Sequence, residues 1–197
     1  MNKVSKMHLF HGGHKGTESE FGAAAEKWGV SETTLSFEGH QMERAKHVEV
    51  LDAETLRQGR VSMEFVFQTL GRRFATGKGL RRVIKLMFHT VTRSDELFAV
   101  GWIVEDDHVK GGTGWGVELA KFFNRKVHIF DQDQERWFSW IDRKWEASNP
   151  GLPSGAFSAT GTRNLSAAGE EAIEGLFARS LEGERVDASA AQSSSRK

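Results

Sequence analysis

The sequence predicts an α/β protein, a Rossmann-like three-layer sandwich with a mainly parallel sheet, to which a C-terminal hairpin and helix are added. Two observations predict this class. Short apolar runs alternate with segments of helical period, and the order strand, glycine loop, helix, strand occurs twice, first from Met7 and again from Leu97. Strands that alternate with helices form a parallel sheet whose two faces are covered.

The first unit begins with the apolar run Met7 to His11, which ends at Gly12 and Gly13 as a buried strand entering a turn would. A helix is predicted next, because Thr17 and Glu20 have capping-box spacing and the following apolar residues recur at helical spacing. Those apolar residues are Phe21, Ala24, Ala25 and Trp28, and Gly29 ends the helix.

The middle of the chain is predicted as a strand, a connecting segment and two helices. Residues 33 to 37, TTLSF, form the second strand, and the polar stretch Gly39 to Val50 crosses the end of the sheet. Asp52 caps a helix that runs to about Phe74. After the break ATGKG, a second helix runs from Leu80 to about Thr92.

The second unit repeats the first pattern. Leu97 to Val104 reads LFAVGWIV and is the clearest strand in the chain, the glycine loop Lys110 to Gly116 follows, and a helix leads to the strand Val127 to Phe130. Aromatic and polar residues then alternate from Glu135 to Trp145, which predicts a hairpin at the sheet edge or a contact in a homo-oligomer.

The C-terminal part is predicted as a linker, a helix and a tail. Both prolines lie in the linker Ser148 to Gly155, and a helix from Ser166 to Ser180 follows. We therefore expect one domain over residues 1–181. The segment 182–197 is rich in small and polar residues, which predicts a disordered tail.

Composition limits the classes of function. The 197 residues suit a single core, and 27 basic against 27 acidic side chains give no net charge, which argues against nucleic acid or an acidic membrane as partner. There is no cysteine and no long apolar run, so a cytoplasmic protein without disulfides is expected. The eight histidines have no helical i, i+4 pattern, so no metal site and no cofactor are predicted.

The two glycine loops are the candidate binding elements. Ligands of parallel sheets bind beyond the carboxyl ends of the strands, and glycine lets backbone N–H groups at a helix N-terminus approach a phosphate. Glu18 and Glu20 already complement the first helix dipole, so the phosphate is assigned to the second loop, which Lys110 precedes. Glu118, expected in the first turn of the next helix, is assigned to ribose hydroxyls or to acid/base chemistry.

The chain resembles the SLOG superfamily, which includes Smf proteins, Lonely Guy phosphoribohydrolases and YpsA-like proteins. GGHKGTESEFGAAAEKWGV resembles the first strand, loop and helix of that fold, and DELFAVG with KGGTGWGVELAKFFNRKVHIFDQ resembles its second half. Gly111, Gly112, Gly114 and Glu118 match the Lonely Guy motif PGGxGTxxE, while Lys110 and Trp115 depart from it. The close resemblance covers about residues 7 to 30 and 95 to 132.

The resemblance implies a nucleotide-like ligand and further site residues. Arg93 is the nearest candidate for the arginine of the hydrolases. The stretch FSATGTRNLSAAGEEAI resembles the ending of bacterial and phage members, which implies that Gly161, Thr162 and Arg163 return to the ligand crevice. The predicted catalytic residues are Glu118 and Arg93. The predicted ligand-binding residues are Gly12, Gly13, Lys15, Gly16, Thr17, Gly101, Gly111, Gly112, Thr113, Gly114, Trp115, Gly116, Asp131 and Arg163.

Three functional hypotheses follow from these observations. The leading one is binding of a nucleotide or a phosphoribosyl or ADP-ribose-like derivative through both glycine loops. The second is a phosphoribohydrolase or N-glycosidase with Glu118 as acid/base. The third is a phage or host interaction protein in which the ligand site serves only structure.

Overall fold

A computed structural model of the chain describes residues 3–71 and 78–194. These described residues form eight strands and six α-helices. The strands are β1 (His8–His11), β2 (Ser31–Phe37), β3 (Val48–Leu51), β4 (Glu96–Gly101), β5 (Lys126–Asp131), β6 (Arg136–Ile141), β7 (Lys144–Ala147) and β8 (Ala156–Gly161). The helices are α1 (Thr17–Trp28), α2 (Ala53–Arg57), α3 (Arg60–Thr69), α4 (Lys78–Thr92), α5 (Thr113–Phe122) and α6 (Ala167–Ser194).

All eight strands form one sheet, in the order β3-β2-β1-β8-β4-β5-β6-β7. The six strands from β3 to β5 in that order are parallel, and β6 and β7 extend the sheet as an antiparallel hairpin. Helices α1 and α6 pack together on one face, and α3, α4 and α5 cover the other. The predicted Rossmann-like sandwich with a mainly parallel sheet is confirmed.

The sheet is apolar on both faces at its centre. Every residue of β4 is buried, and its side chains alternate between the two cores: Phe98 and Val100 pack toward α1 and α6, while Leu97 and Ala99 pack toward α5. The aromatic hairpin divides in the same way, because Trp137 lies in the first core and Trp140 packs against the second. Strands buried on both faces are characteristic of a parallel sheet.

Two strands were not predicted. β8 fills the middle of the sheet between β1 and β4, although its sequence AFSATG lies between the predicted linker, which ends at Gly155, and the predicted helix from Ser166. Small side chains are needed there, because a Cβ on Gly161 would lie 2.6 Å from Thr17 Cβ. β3 begins within the polar stretch Gly39 to Val50 and lies at the sheet edge, where Val50 is 63% exposed.

Helix ends differ from the sequence predictions in several places. Asp52 and Ser166 do cap their helices, accepting hydrogen bonds from Thr55 N (2.7 Å) and Gly169 N (3.1 Å). The capping box of Thr17 is wrong: Gly16 precedes the helix, and the Thr17 hydroxyl donates to Thr162 O. The helix after Asp52 is divided into α2 and α3, and its predicted end at residues 72–74 lies outside the described residues.

The C-terminal helix is longer than predicted. α6 continues to Ser194 through the segment from residue 182 for which the sequence predicts disorder, and residues 195–197 lie outside the described residues. Glutamate, arginine and alanine are frequent in that segment and have favourable helix propensities, which accounts for the extension. In the described part of the chain, no helix combines the length and apolar character needed to cross a bilayer.

Candidate functional site

A cavity of about 490 Å³ lies beyond the carboxyl ends of the central strands β1, β8 and β4. This is the position at which open parallel sheets bind ligands, and the volume is in the range of small-molecule sites. The lining residues come from both glycine loops, from α4 and from the end of β8: His14, Glu18, Leu80, Val83, Met87, Trp102, Lys110, Gly111, Gly112, Thr113, Trp115, Gly161, Thr162 and Arg163.

The first glycine loop is filled by a carboxylate of the protein itself. Glu18 Oε2 accepts hydrogen bonds from Gly12 N at 2.9 Å and from His14 N at 3.2 Å, and lies 2.9 Å from His14 Nδ1. Burial raises the pKa of Glu18, but the charge and hydrogen bonds of His14 outweigh it and lower the pKa to about 2. Two of the loop donors that a phosphate would need are therefore occupied by Glu18.

The other predicted residues of this loop serve mainly to hold neighbouring segments. Gly13 O accepts from the backbone N–H groups of Glu43 and Arg44, and the Thr17 hydroxyl and amide both donate to Thr162 O at 3.1 Å. Lys15 and Gly16 line a separate hollow of about 340 Å³ with Arg163. The structure does not place Gly12, Gly13, Lys15, Gly16 or Thr17 on the wall of the central cavity.

The segment from Gly39 to His47, which we call the strap, closes over the first loop. Arg44 forms ion pairs with Glu32 of β2 and with Glu26 of α1, and Glu32 also lies 3.0 Å from buried His11 Nε2. Gly22 leaves the room that the Arg44 side chain needs, because a Cβ there would overlap it. The strap thereby brings His40 to His14, with 3.0 Å between the two Nε2 atoms.

The second glycine loop opens onto the cavity. Gly111 has φ +69°, Gly112 is the N-cap of α5, and no side chain caps the helix. The first turn of α5 contains no acidic residue, and a Cβ on Gly111 or Gly112 would meet nothing within 4 Å. The start of α5 therefore carries the partial positive charge of a helix N-terminus toward open space.

The remaining glycines of this loop have a packing role. A Cβ on Gly114 would overlap the carbonyl of Val109, and one on Gly116 would lie 3.1 Å from Thr160 Cγ2. Both are buried where α5 approaches the sheet. A Cβ on Gly101 of β4 would lie 3.6 Å from Thr113 Cγ2, an ordinary contact distance. Of the predicted residues of this loop, Gly111, Gly112, Thr113 and Trp115 line the cavity.

Aromatic and basic side chains complete this side of the cavity. Trp115 is buried, and within the described residues its Nε1–H has no hydrogen-bond partner. Trp102 lies nearby, with Lys110 Nζ 5.5 Å from its ring centroid. An indole N–H is a donor only, and that of Trp115 is buried away from solvent.

The two predicted catalytic residues lie elsewhere. Glu118 is in the second turn of α5, not the first, and its Oε1 pairs with Lys121 Nζ at 3.0 Å and with His108 Nδ1 at 3.2 Å. Arg93 forms a two-pronged ion pair with Glu49. Neither lines the cavity, and the structure does not bring them together.

Asp131 stabilises a turn at the end of β5. Its carboxylate accepts hydrogen bonds from the backbone N–H groups of Ile103, Asp133 and Gln134 at 2.7 to 3.0 Å. These bonds use both carboxylate oxygens, and Asp131 is buried and is not part of the cavity lining, so its assignment to the ligand stays a prediction.

At the far end of the cavity, β8 supplies Gly161, Thr162 and Arg163. Arg163 is exposed and forms no ion pair with the described residues. Burial and the Arg163 charge act to lower the pKa of His14, but the Glu18 carboxylate outweighs them and raises it, whereas burial and the neighbouring His14 lower the pKa of His40 to about 4. Three positive or proton-binding groups thus face the cavity from different segments: Lys110, Arg163 and His14.

No protein-family model matches the chain, and no curated protein matches it. The fold is shared with a solved protein. It comes from Syntrophus aciditrophicus, is named "Putative molybdenum carrier protein", and aligns with a TM-score of 0.53 over 90% of this chain and 96% of its own, at 12% identity. Identity at this level shows the common fold alone, so the SLOG resemblance stays a prediction.

Several cavity residues were not predicted from the sequence. His14 lines the cavity; His40, which does not, lies 26 positions away and reaches it through the pairing of β1 with β2 and the closure of the strap. Leu80, Val83 and Met87 were assigned only to a helix. The one local signal was Glu18, whose position at a helix start was recognised but whose contact with the loop backbone was not.

Proposed function

We propose that this chain binds a nucleotide or a nucleotide-derived ligand, with a phosphate at the start of α5. The observation that carries the proposal is the uncapped start of α5, which opens onto the cavity. A helix N-terminus without a side-chain cap has backbone N–H groups available for an anion. Lys110 adds a full positive charge beside it, and no acidic residue in the first turn opposes an anion.

The rest of the cavity suits an organic group. Leu80, Val83 and Met87 form an apolar wall on α4, and Trp102 and Trp115 provide aromatic surface across from it. Small-molecule sites combine such apolar walls with a few well-placed polar groups. Lys110, Thr113 and Arg163 are polar groups on this lining.

The hydrolase hypothesis receives no support from the position of Glu118, which is paired with Lys121 outside the cavity. We therefore propose binding without turnover at Glu118. The name of the solved neighbour adds one class of probe, since molybdate is a tetrahedral oxyanion and would suit the same helix start.

The test is a binding screen followed by a matched pair of variants. Thermal shift and calorimetry would use AMP, ADP-ribose, ribose 5-phosphate and molybdate, because a ligand of the native state raises the melting temperature. Gly112 has ordinary helical φ and open space, so Gly112→Asp places a carboxylate at the helix start without a clash, and Gly112→Asn is its uncharged control.

We expect at least one phosphate-bearing probe to bind. Gly112→Asp should lower the affinity for that probe at least tenfold more than Gly112→Asn does. Both variants should fold, since Asp and Asn are favourable N-cap residues. If molybdate is the only probe that binds, the ligand of this site is an inorganic oxyanion and not a nucleotide. Equal binding by the two variants, or no binding by any probe, would overturn the proposal and favour the interaction hypothesis.

A further inference from the structure

One oxygen of the Glu18 carboxylate has spare acceptor capacity at the cavity wall. Glu18 Oε2 is held by the first loop, through Gly12 N at 2.9 Å, His14 N at 3.2 Å and His14 Nδ1 at 2.9 Å. Among the described residues, Oε1 has one hydrogen bond, from the Thr160 hydroxyl at the long distance of 3.4 Å. A carboxylate oxygen has room for about two hydrogen bonds, so Oε1 can accept another.

Glu18 is an ionised acceptor in buried surroundings. It is only 5% exposed, yet it belongs to the lining of the central cavity. Burial raises the pKa of Glu18, but the charge and hydrogen bonds of His14 lower it to about 2, so the carboxyl group has no proton of its own to donate near neutral pH. A buried acceptor that lacks a full set of donors is costly, and a donor on a bound ligand would remove that cost.

The surroundings of Glu18 favour a neutral donor over a charged one. The carboxylate charge is already met by the His14 ring and two backbone N–H groups on Oε2. An ammonium group on the ligand would also meet Lys110 and Arg163, which line the same cavity. A hydroxyl group donates a hydrogen bond without bringing a charge, so it is the ligand group that suits Oε1.

Glu18 and the start of α5 are separated by the width of one strand. β8 lies between β1 and β4, so the two glycine loops are roughly 9–10 Å apart at the backbone. Thr160 of β8 spans part of this gap, because its hydroxyl bonds Glu18 Oε1 and its Cγ2 would lie 3.1 Å from a Cβ on Gly116 in the first turn of α5. A ribose 5-phosphate carries its phosphate at one end and its 2′ and 3′ hydroxyls at the other. With a hydrogen bond at each end, it covers this gap.

We propose that Glu18 Oε1 accepts a hydrogen bond from a ribose hydroxyl of the ligand, so that the cavity selects ribonucleotides over deoxyribonucleotides. The inference rests on the proposed function, because it takes the phosphate to lie at the start of α5. Glu18 then has the ribose-binding role that the sequence assigns to Glu118, which is not part of the cavity lining. The base would lie against the apolar wall of α4.

The first experiment compares ligands that differ only in their hydroxyl groups. Calorimetry with the wild-type protein would use AMP, its 2′-deoxy and 3′-deoxy analogues and 2′,3′-dideoxyAMP. If ADP-ribose or ribose 5-phosphate binds more tightly than AMP, its own deoxy analogues replace this series. We expect the dideoxy compound to bind about tenfold or more weakly than its parent, because a buried charged acceptor is left without its donor. The two monodeoxy compounds identify the hydroxyl that makes the bond.

The second experiment changes the acceptor. In Glu18→Gln the amide oxygen is needed by the N–H groups of Gly12 and His14, so the amide NH₂ takes the position of Oε1. The affinity ratio between parent and dideoxy ligand should then fall to about threefold or less, since the charged acceptor is lost. Glu20→Gln is the matched control, because Glu20 is on the same helix and lines a separate hollow. It should keep the wild-type ratio.

A third variant leaves the Glu18 carboxylate in place, so the test does not depend on the folding of Glu18→Gln. Thr160→Val removes the hydroxyl that contacts Oε1 and places a good strand residue in β8. The ligand hydroxyl then becomes the main donor to Oε1, and the affinity ratio should equal or exceed that of the wild type.

The outcomes separate this inference from the proposed function. Equal binding of AMP and its dideoxy analogue by the wild type would overturn the ribose contact and leave phosphate binding at α5 standing. The assignment to Glu18 is wrong if Glu18→Gln keeps the ratio, or if Thr160→Val or Glu20→Gln abolishes it. Failure of every phosphate-bearing probe to bind would instead reject the proposed function, and this inference with it.

Discussion

The first glycine loop donates two of its backbone N–H groups to Glu18, whereas the second loop leads into a helix start with no carboxylate in its first turn. Both loops follow parallel strands at the same edge of the sheet and both contain a glycine with positive φ. The difference shows that a glycine-rich sequence before a helix does not define an anion site. What matters is whether the protein supplies the anion itself.

The largest expected effect is the loss of stability when alanine replaces Gly13, compared with the same substitution at Gly111. Each has φ near +70°, but a Cβ on Gly13 would overlap the carbonyl of Arg44, whereas one on Gly111 meets open space. We expect Gly111→Ala to cost about 1 kcal/mol of unfolding free energy through left-handed strain alone. Gly13→Ala should cost roughly 3 kcal/mol or more, because overlap is added to strain.

Urea denaturation of both variants would check this pair. Equal losses would mean that the strap shifts freely away from Gly13, and the distinction between a packed first loop and an open second loop would have to be abandoned.

The next effect concerns acid stability. The pKa of Glu18 is about 2 in the folded protein, below the usual value of 4.5, so the carboxylate stabilises the fold fully above about pH 5. That stability is lost as pH falls toward 2, and the shift corresponds to an order of 3 kcal/mol. Glu18→Gln removes this contribution, so the stability difference between wild type and variant should shrink between pH 5 and pH 2.

Chemical unfolding at pH 7, 5, 4 and 3 would measure that difference. Glu32→Gln is a useful comparison, since the pKa of Glu32 is also about 2, although Arg44 and His11 cause the lowering there. A Glu18→Gln penalty that is the same at every pH would show that the carboxylate charge does not contribute to holding the first loop.

The smallest effect on ligand binding is expected at Glu118. Because Glu118 pairs with Lys121 and His108 away from the cavity, Glu118→Gln should change the affinity of any ligand by less than twofold. Its effect should appear in stability instead, at about 1 kcal/mol, since the partly buried Lys121 loses its charged partner. Calorimetry and thermal unfolding on one preparation would separate the effect on ligand affinity from the effect on stability. A large loss of affinity would restore Glu118 to the site.

The sequence was sufficient for the elements that carry their own pattern. β4 is a continuous apolar run, Asp52 and Ser166 are local caps, and Gly29 ends α1 with left-handed backbone. These features depend on residues within one turn or one strand. The alternation of strands and helices then fixes a parallel sheet, so the fold class followed from local signals.

The parts that could not be predicted depend on distant residues. Thr17 matches a capping box by sequence, but its hydroxyl donates a hydrogen bond to Thr162 O, which is 145 positions away. β8 has small polar residues because two helices approach it closely, and that requirement is invisible before the sheet order is known. The strap is polar in sequence because Arg44 reaches Glu32 and Glu26, which lie on two other elements.

The central position of β8 has a consequence for how the chain is made. When the first 155 residues have left the ribosome, β1 to β3 and β4 to β7 exist as two strand groups with no hydrogen-bonded ladder between them. Each has an unpaired inner edge until Ala156–Gly161 is synthesised and inserted, and unpaired edges are prone to association with other chains. Gly161 to Arg163 also belong to the cavity wall, so completion of the sheet and completion of the site are the same late event.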